Sequence, residues 1–346
     1  MVKPFQDSTS IAGDGKALAA RMEAEGYLFV RGLLPRDEVL ALRGQFLELA
    51  AKAGWLRADR PVAEGAADQG RACKDPEPAY IQHFKAMWKL EALHRMKHHP
   101  NLVGLFERMF GEPALVHPLL VARNIFPASN GFDFTTGRHQ DRIHIGGGTS
   151  YAAWVPLGDC PMTKGGLTMV PGSHRAGVLP FRIAAGAGGL ETEGTYDGEW
   201  VASDFRAGDV VIFSDTTVHK ALPNRSGELR QSFDARYQRL SDPVAEVSIR
   251  TYANMFDWSE VYAGWKGSED LRYYWIRQGA RIVPFDTQYY ERRDAIAFDL
   301  AERGDMLARD TLLRVAQRDP DAAKRTRAAG LLEKLDAAYA ATARVA

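Results

Sequence analysis

Five short β-rich runs follow one another in the middle of the chain: Leu115–Phe126, Tyr151–Leu157, Leu167–Pro171, Asp209–Phe213 and Gln231–Tyr237. Glycine and proline punctuate them at Gly146-Gly147-Gly148, Pro171-Gly172 and Pro223-Asn224, residues that turn a chain rather than extend it. Many short strands separated by turns lead to a sandwich or a barrel, and the jelly roll is one such architecture. The expected fold class is therefore mainly β with flanking helices, with a jelly-roll core at about 114–250.

The flanks read differently. Gly26–Leu34 predicts a strand, and Pro35 with Asp37 and Glu38 opens a helix whose inward positions are Val39, Leu42, Phe46 and Leu49. Residues 57–78 read as a loop and Met87–Lys97 as a helix. Pro100 starts another, with Leu102, Leu105, Phe106 and Met109 inward and Gly111 at its end. The glycine-rich stretch 184–198 is expected to be a mobile lid. After about Gln288 the pattern is helical to the end, Pro320 separating at least two helices. Leu300, Leu312, Val315 and Leu335 form part of an apolar stripe there, which packs on its own domain or forms a homodimer interface. The expected division is 1–288 and a helical extension, 289–346.

Chemistry enters with His139-Gln140-Asp141 and a partner far downstream, His219. Two residues apart on a strand, His139 and Asp141 leave the same face. A histidine from a second strand completes three ligands on one side of a metal, the facial triad of non-haem Fe(II) oxygenases. Arg230 lies on the next strand. Its planar fork suits the far carboxylate of an α-keto diacid that chelates iron through its other end, and Ser232 on the same face offers a hydrogen bond. Arg142, Arg123 and Gln82 are substrate-contact candidates on location alone. His94, His98 and His99 lack an acidic or cysteine partner and read as a solvated helix face.

Lysine plus arginine (44) balances aspartate plus glutamate (44), so nothing points to nucleic acid or an anionic membrane. No run is long and apolar enough for a membrane span. Two cysteines are too few for a disulfide framework or a thiolate zinc site. With no signal-peptide layout at the start, the expected setting is the reducing cytoplasm, and the expected partner a small-molecule substrate.

The stretches GRHQDRIHIGGG, YAAWVPLGDC, GGLTMVPGSHR, GDVVIFSDTTVH and LPNRSGELRQSFDARY, in that order, resemble the phytanoyl-CoA dioxygenase family of Fe(II)/2-oxoglutarate oxygenases. GYLFVRGLLPRDEV resembles the family's opening, and the likeness covers roughly residues 20–245. It implies a double-stranded β-helix (jelly roll, cupin-like) core. It also implies iron ligands at His139, Asp141 and His219, a 2-oxoglutarate anchor at Arg230, and a cofactor-pocket wall at Trp154. Ala221 stands where several members carry a serine that touches 2-oxoglutarate, which shifts that contact toward Ser232. The implied cofactors are Fe(II), 2-oxoglutarate and O2. The implied reaction is hydroxylation with release of succinate and CO2; desaturation, epoxidation or ring closure are alternatives on the same cofactors. A metal-binding cupin-like protein without oxygenase activity is the third reading, and Arg230 argues against it.

Overall fold

The computed structural model describes residues 2–129, 133–184 and 189–343. Local signals account for the N-terminal flank. Helix α1 (Gly15–Glu25) begins where the Asp14 carboxylate accepts from the Lys16 and Ala17 amides, satisfying two donors that a first turn leaves open. Strand β1 (Tyr27–Val30) and helix α2 (Arg36–Lys52) follow, with Val39, Leu42 and Phe46 buried as the spacing predicts. The one helix expected near Met87 is two, α3 (Pro78–Trp88) and α4 (Glu91–Lys97). Pro78 marks a helix start rather than the end of a loop, because a first turn has no use for the missing amide. Helix α5 (Pro100–Phe110) ends at Gly111, and Leu102, Leu105, Phe106 and Met109 are buried.

The middle of the chain supplies β2 (Ala114–Ile125), the short helix α6 (Arg142–Ile145), β3 (Ser150–Pro156), β4 (Leu167–Met169), β5 (Phe181–Ile183), β6 (Leu190–Thr192), β7 (Val210–Ser214), β8 (His219–Ala221) and β9 (Arg230–Arg239). The large sheet is antiparallel throughout, in the order β1-β7-β3-β9-β2. A smaller layer pairs β4 with β8 and is extended by single bridges, His139 with His219, Cys160 with Phe205 and Met169 with Val201. Strand alternation sorts the two faces of the large sheet. Leu28, Val30, Val155, Ile212, Phe233 and Ala235 pack with the N-terminal helices, whereas Tyr27, Phe29, Trp154, Val211 and Phe213 meet Leu167, Met169 and Ala221 of the smaller layer. The site lies at one end of this two-layered packing.

Helical residues outnumber strand residues, so the chain is mixed α/β rather than mainly β. A run of short elements follows β9: β10 (Val244–Ala245), α7 (Glu246–Ile249), α8 (Trp258–Tyr262), α9 (Tyr274–Arg277) and β11 (Ile282–Val283). Their Val261, Tyr262, Trp265, Tyr274 and Trp275 fill the far side of the main core. These apolar residues sit on elements too short to show a period.

Of the expected lid, residues 185–188 lie outside the described residues. The described remainder includes a packed strand: β6 pairs antiparallel with β5, and Leu190 is buried with Phe181 and Ile143. The chain closes with α10 (Gln288–Glu302), α11 (Arg309–Arg318) and α12 (Ala322–Ala343). Ala297, Phe298, Leu312, Val315 and Leu335 are buried together around Ile183 of β5. These members of the apolar stripe thus pack within the chain, while Leu300 is partly buried and Leu307 is exposed. Among the described residues no helix is long and apolar enough to cross a membrane.

Candidate metal centre

A one-pair antiparallel bridge sets His139 opposite His219, each amide donating to the other's carbonyl at 2.9 and 3.1 Å. Each ring then turns its Nδ1 to a carbonyl two residues back. His139 Nδ1 lies 2.7 Å from Gly137 O, and His219 Nδ1 3.0 Å from Thr217 O. A carbonyl only accepts, so Nδ1 carries the proton and each Nε2 keeps its lone pair. Both Nε2 atoms face Asp141 Oδ1, at 3.7 and 3.9 Å. Ligand atoms of all three residues lie within 4.8 Å of one another.

Strand alternation is not what brings Asp141 to the site. After the bridge at His139 the chain turns, and Asp141 has helical angles (φ −76°, ψ −24°) at the head of α6. The Arg142 amide donates to Asp215 O at 2.8 Å and pins this turn. Asp141 Oδ2 accepts from Arg236 Nη2 at 2.8 Å, which leaves Oδ1 as the oxygen facing the imidazoles. Burial opposes a charge on Asp141, but Arg236 and the two histidines hold its carboxyl well below the usual carboxylate range. Burial first, and then His219, push His139 well below its ordinary value and keep it neutral. Two imidazoles that turn Nε2 inward and one carboxylate oxygen, on one side of a cavity, are a fitting donor set for ferrous iron.

Strand β9 carries the groups behind the metal. Its register sets Arg236 against Ala152 and Asp234 against Trp154, on the face that meets the smaller layer. Arg230 and Ser232 share that face. Arg230 is 2% exposed, donates through Nη1 to Gly165 O, and lies 5.9 Å from the Trp154 ring centroid. Gly165 has φ +86°, and a Cβ there would meet the Leu222 carbonyl, so glycine is required for the chain to pass this close. Arg230 Nε and Ser232 Oγ are buried without a hydrogen-bond partner. Buried donors left unmade are costly, and here both fit the far carboxylate of a keto diacid. Trp154 packs on Phe205, ring centroids 4.8 Å apart, between that pair and the apolar interior.

Arg123 lies on β2 opposite Ser232 and pairs with Asp234 at 3.6 Å. The other two substrate-contact candidates are placed elsewhere. The Arg142 guanidinium bonds Asp215 Oδ2 at 3.0 Å and the carbonyls of Gly147 and Gly148, so it holds the glycine turn into β3. Gln82 is exposed, because α3 turns Tyr80, His83, Phe84 and Met87 inward.

Several site residues escaped sequence reasoning. Arg236 had a usable signal, since it follows Arg230 on the same strand face. Gln140 bonds Gly177 O, Thr216 O and the Leu179 amide, clamping the loops between the ligands. His144 Nδ1 lies 2.9 Å from the Tyr290 hydroxyl, tying α6 to α10, and no local pattern signals such a pairing. A cavity of about 620 Å³ opens over the triad, with His139, Asp141, His144 and Arg236 on one side and residues of α10–α12 on the other.

A site of two histidines and one carboxylate, with the unbonded Arg230 Nε and Ser232 Oγ behind it and a large cavity in front, is the arrangement of a metal-dependent enzyme. The chain matches the phytanoyl-CoA dioxygenase (PhyH) family over residues 22–232 and belongs to that family. It is a family of oxygenases that use iron, 2-oxoglutarate and O2, and the His139, Asp141 and His219 cluster fits the iron. Among curated relatives, the 1-deoxypentalenic acid 11-beta-hydroxylase of Streptomyces exfoliatus is 28% identical over 253 residues, covering 68% of this chain and 86% of the relative. A probable phytanoyl-CoA dioxygenase of Caenorhabditis elegans is 23% identical over 244 residues, covering 65% and 76%. Among solved structures, the epimerase SnoN in complex with Fe3+, alpha ketoglutarate and nogalamycin RO is 26% identical, with a TM-score of 0.48 and coverage of 68% of this chain and 87% of that one.

Proposed function

We propose that this protein hydroxylates an unactivated carbon of a small-molecule metabolite, with release of succinate and CO2. The observation that carries the reading is the paired Nδ1–carbonyl bonds, which aim two Nε2 lone pairs and Asp141 Oδ1 at one point on the cavity side. His139, Asp141 and His219 hold the iron. Arg230, with Ser232, binds the distal carboxylate of 2-oxoglutarate, and Trp154 flanks it. Iron and 2-oxoglutarate, when bound, would activate O2, which is the oxidant; decarboxylation of the keto acid to succinate and CO2 gives O2 two electrons and hydroxylation of the substrate the other two.

The chain's own residues position and shield. Arg236 holds Asp141 so that one oxygen faces the metal. Gln140 keeps the ligand loops in register, and the two packed layers, read as a double-stranded β-helix, keep water from the cofactor side. The substrate enters from the cavity side, opposite the sandwich interior. Asp141 is a carboxylate where related halogenases have a small residue, which favours hydroxylation, and a hydroxylase stands among the relatives.

The test is a pair of variants read by metal content and 2-oxoglutarate binding. Asp141→Gly is expected to lose iron and all turnover. Arg230→Ala is expected to keep iron while 2-oxoglutarate affinity falls roughly 100-fold, the scale of losing a buried charge-assisted pair. Wild-type turnover in Asp141→Gly overturns the metal assignment, and unchanged 2-oxoglutarate affinity in Arg230→Ala overturns the anchor.

A further inference from the structure

Arg236 is 6% exposed and, among the described residues, makes one hydrogen bond, from Nη2 to Asp141 Oδ2 at 2.8 Å. Its Nε and Nη1 are buried with no hydrogen-bond partner among those residues. What these two atoms lack is an acceptor rather than a counter-charge, which Asp141 supplies. Buried donors left unmade are costly, and the same condition recurs along β9 at Arg230 Nε and Ser232 Oγ. One face of the strand thus carries unbonded donors toward both ends.

Local packing gives the guanidinium its place. Ala152 of β3 stands opposite Arg236, and on the other edge β2 leaves the register between Val116 and Leu120. A small neighbour and a bulge leave a long side chain room to reach Asp141. Asp141 Oδ1 faces the two imidazoles and Oδ2 faces Arg236. An arginine that grips the outer oxygen of one metal-bound carboxylate stands beside whatever fills the neighbouring metal positions. Its planar fork presents parallel N–H bonds. With Nη2 on Asp141, the adjacent Nη1 suits a second carboxylate on the same metal. The other cations of the cavity meet carboxylates away from the ligands. Arg123 meets Asp234, and Arg314 and Arg318 of α11 meet Asp75, each at 3.6 Å. Arg293 and Lys324 pair with Asp294.

We propose that Arg236 is a second anchor for 2-oxoglutarate, taking the carboxylate at the metal end while Arg230 takes the distal one. The guanidinium then bridges the protein's own metal-bound carboxylate and the cofactor's. Strand β9 holds the keto acid at both ends, which fixes its direction along the sheet. The inference rests on the oxygenase reading of the same site.

The experiment uses the full chain under anaerobic conditions. Fe(II) affinity is read by metal competition, and 2-oxoglutarate is then titrated at saturating Fe(II) by its charge-transfer absorption. Arg236→Lys keeps a positive charge beside Asp141 and loses the fork. It is expected to hold iron nearly as the wild type does while 2-oxoglutarate affinity falls roughly tenfold or more. Arg236→Gln is read in the same way should the lysine variant not fold, and its loss of 2-oxoglutarate affinity is expected to exceed its loss of iron affinity. Acetohydroxamate, which chelates iron without a carboxylate, is titrated in parallel on the Fe(III)-loaded proteins and is expected to bind wild type and variant alike. Unchanged 2-oxoglutarate affinity at saturating metal, or a loss no larger than that of iron, overturns the proposal, because an arginine acting through Asp141 alone moves iron first. Acetohydroxamate weakened as much as 2-oxoglutarate also overturns it, since chelation in general is then impaired. A wild-type protein that gives no band with Fe(II) and 2-oxoglutarate strikes at the oxygenase reading instead, before any variant is compared.

Discussion

On one side of the cavity the chemical groups stand on a sheet, and register places them. Arg230, Ser232, Asp234 and Arg236 occupy alternate positions of β9, with β2 and β3 hydrogen-bonded on either side. On the other side they stand on α11 and α12, held by a small apolar cluster around Leu312, Val315 and Leu335 and by ion pairs such as Lys324 with Asp294. A sheet locked on both edges suits groups that must hold a metal and a keto acid in one geometry. Helices appended to it can change without disturbing that geometry, which is where selection between substrates is most freely altered.

The sharpest way to break this comparison is to loosen only the helical side. Leu312 is fully buried, and Leu312→Ala is expected to cost about 3 kcal/mol, read by denaturant titration. Fe(II) and 2-oxoglutarate affinities of the folded protein should not move; if they fall with stability, the two sides are not separable. A smaller effect comes from the sheet side. Arg236→Gln removes the hydrogen bond that aims Asp141 and should weaken iron about tenfold, the scale for groups that orient metal ligands. A metal-competition titration measures it, and no change means that the turn into α6 positions Asp141 unaided.

The smallest effect is a proton count. Burial lowers His83 to about 4 and His98 and His117 to about 3. Folded values below the unfolded one mean that this contribution to stability is fully present above about pH 6.5 and is lost as pH falls toward 4 and then 3. Denaturation midpoints should therefore drop across that window. His83→Gln should remove at most one proton from the slope, and an unchanged slope contradicts the burial of His83.

The sheet side was the readable side. Alternation and turn residues located β2, β3, β4, β7 and β9 to within a few residues, and residue type with spacing drew His139, Asp141, His219 and Arg230 together. Asp141 shows the limit: the two-residue spacing predicts a strand, and the residue sits at a helix start. His94 shows another. The sequence predicts a solvated histidine, but it is buried, its Nε2 2.8 Å from Trp88 O, because Trp258 and Trp265 pack on its ring. The cavity wall was unreadable for a similar reason. Its arginines meet Asp75 across more than two hundred residues of chain, and no period in a sequence encodes such a meeting.

The central claim is that His139, Asp141 and His219 hold ferrous iron with 2-oxoglutarate chelated beside them. Anaerobic titration of the metal-free protein with Fe(II) and then 2-oxoglutarate, followed by visible absorption, tests it directly. A weak charge-transfer band that needs both additions, and that is missing in Asp141→Gly, is the predicted result. No band in the wild-type protein, together with tight binding of another metal at the same three residues, contradicts the claim and leaves a metal-binding sandwich without oxygenase chemistry.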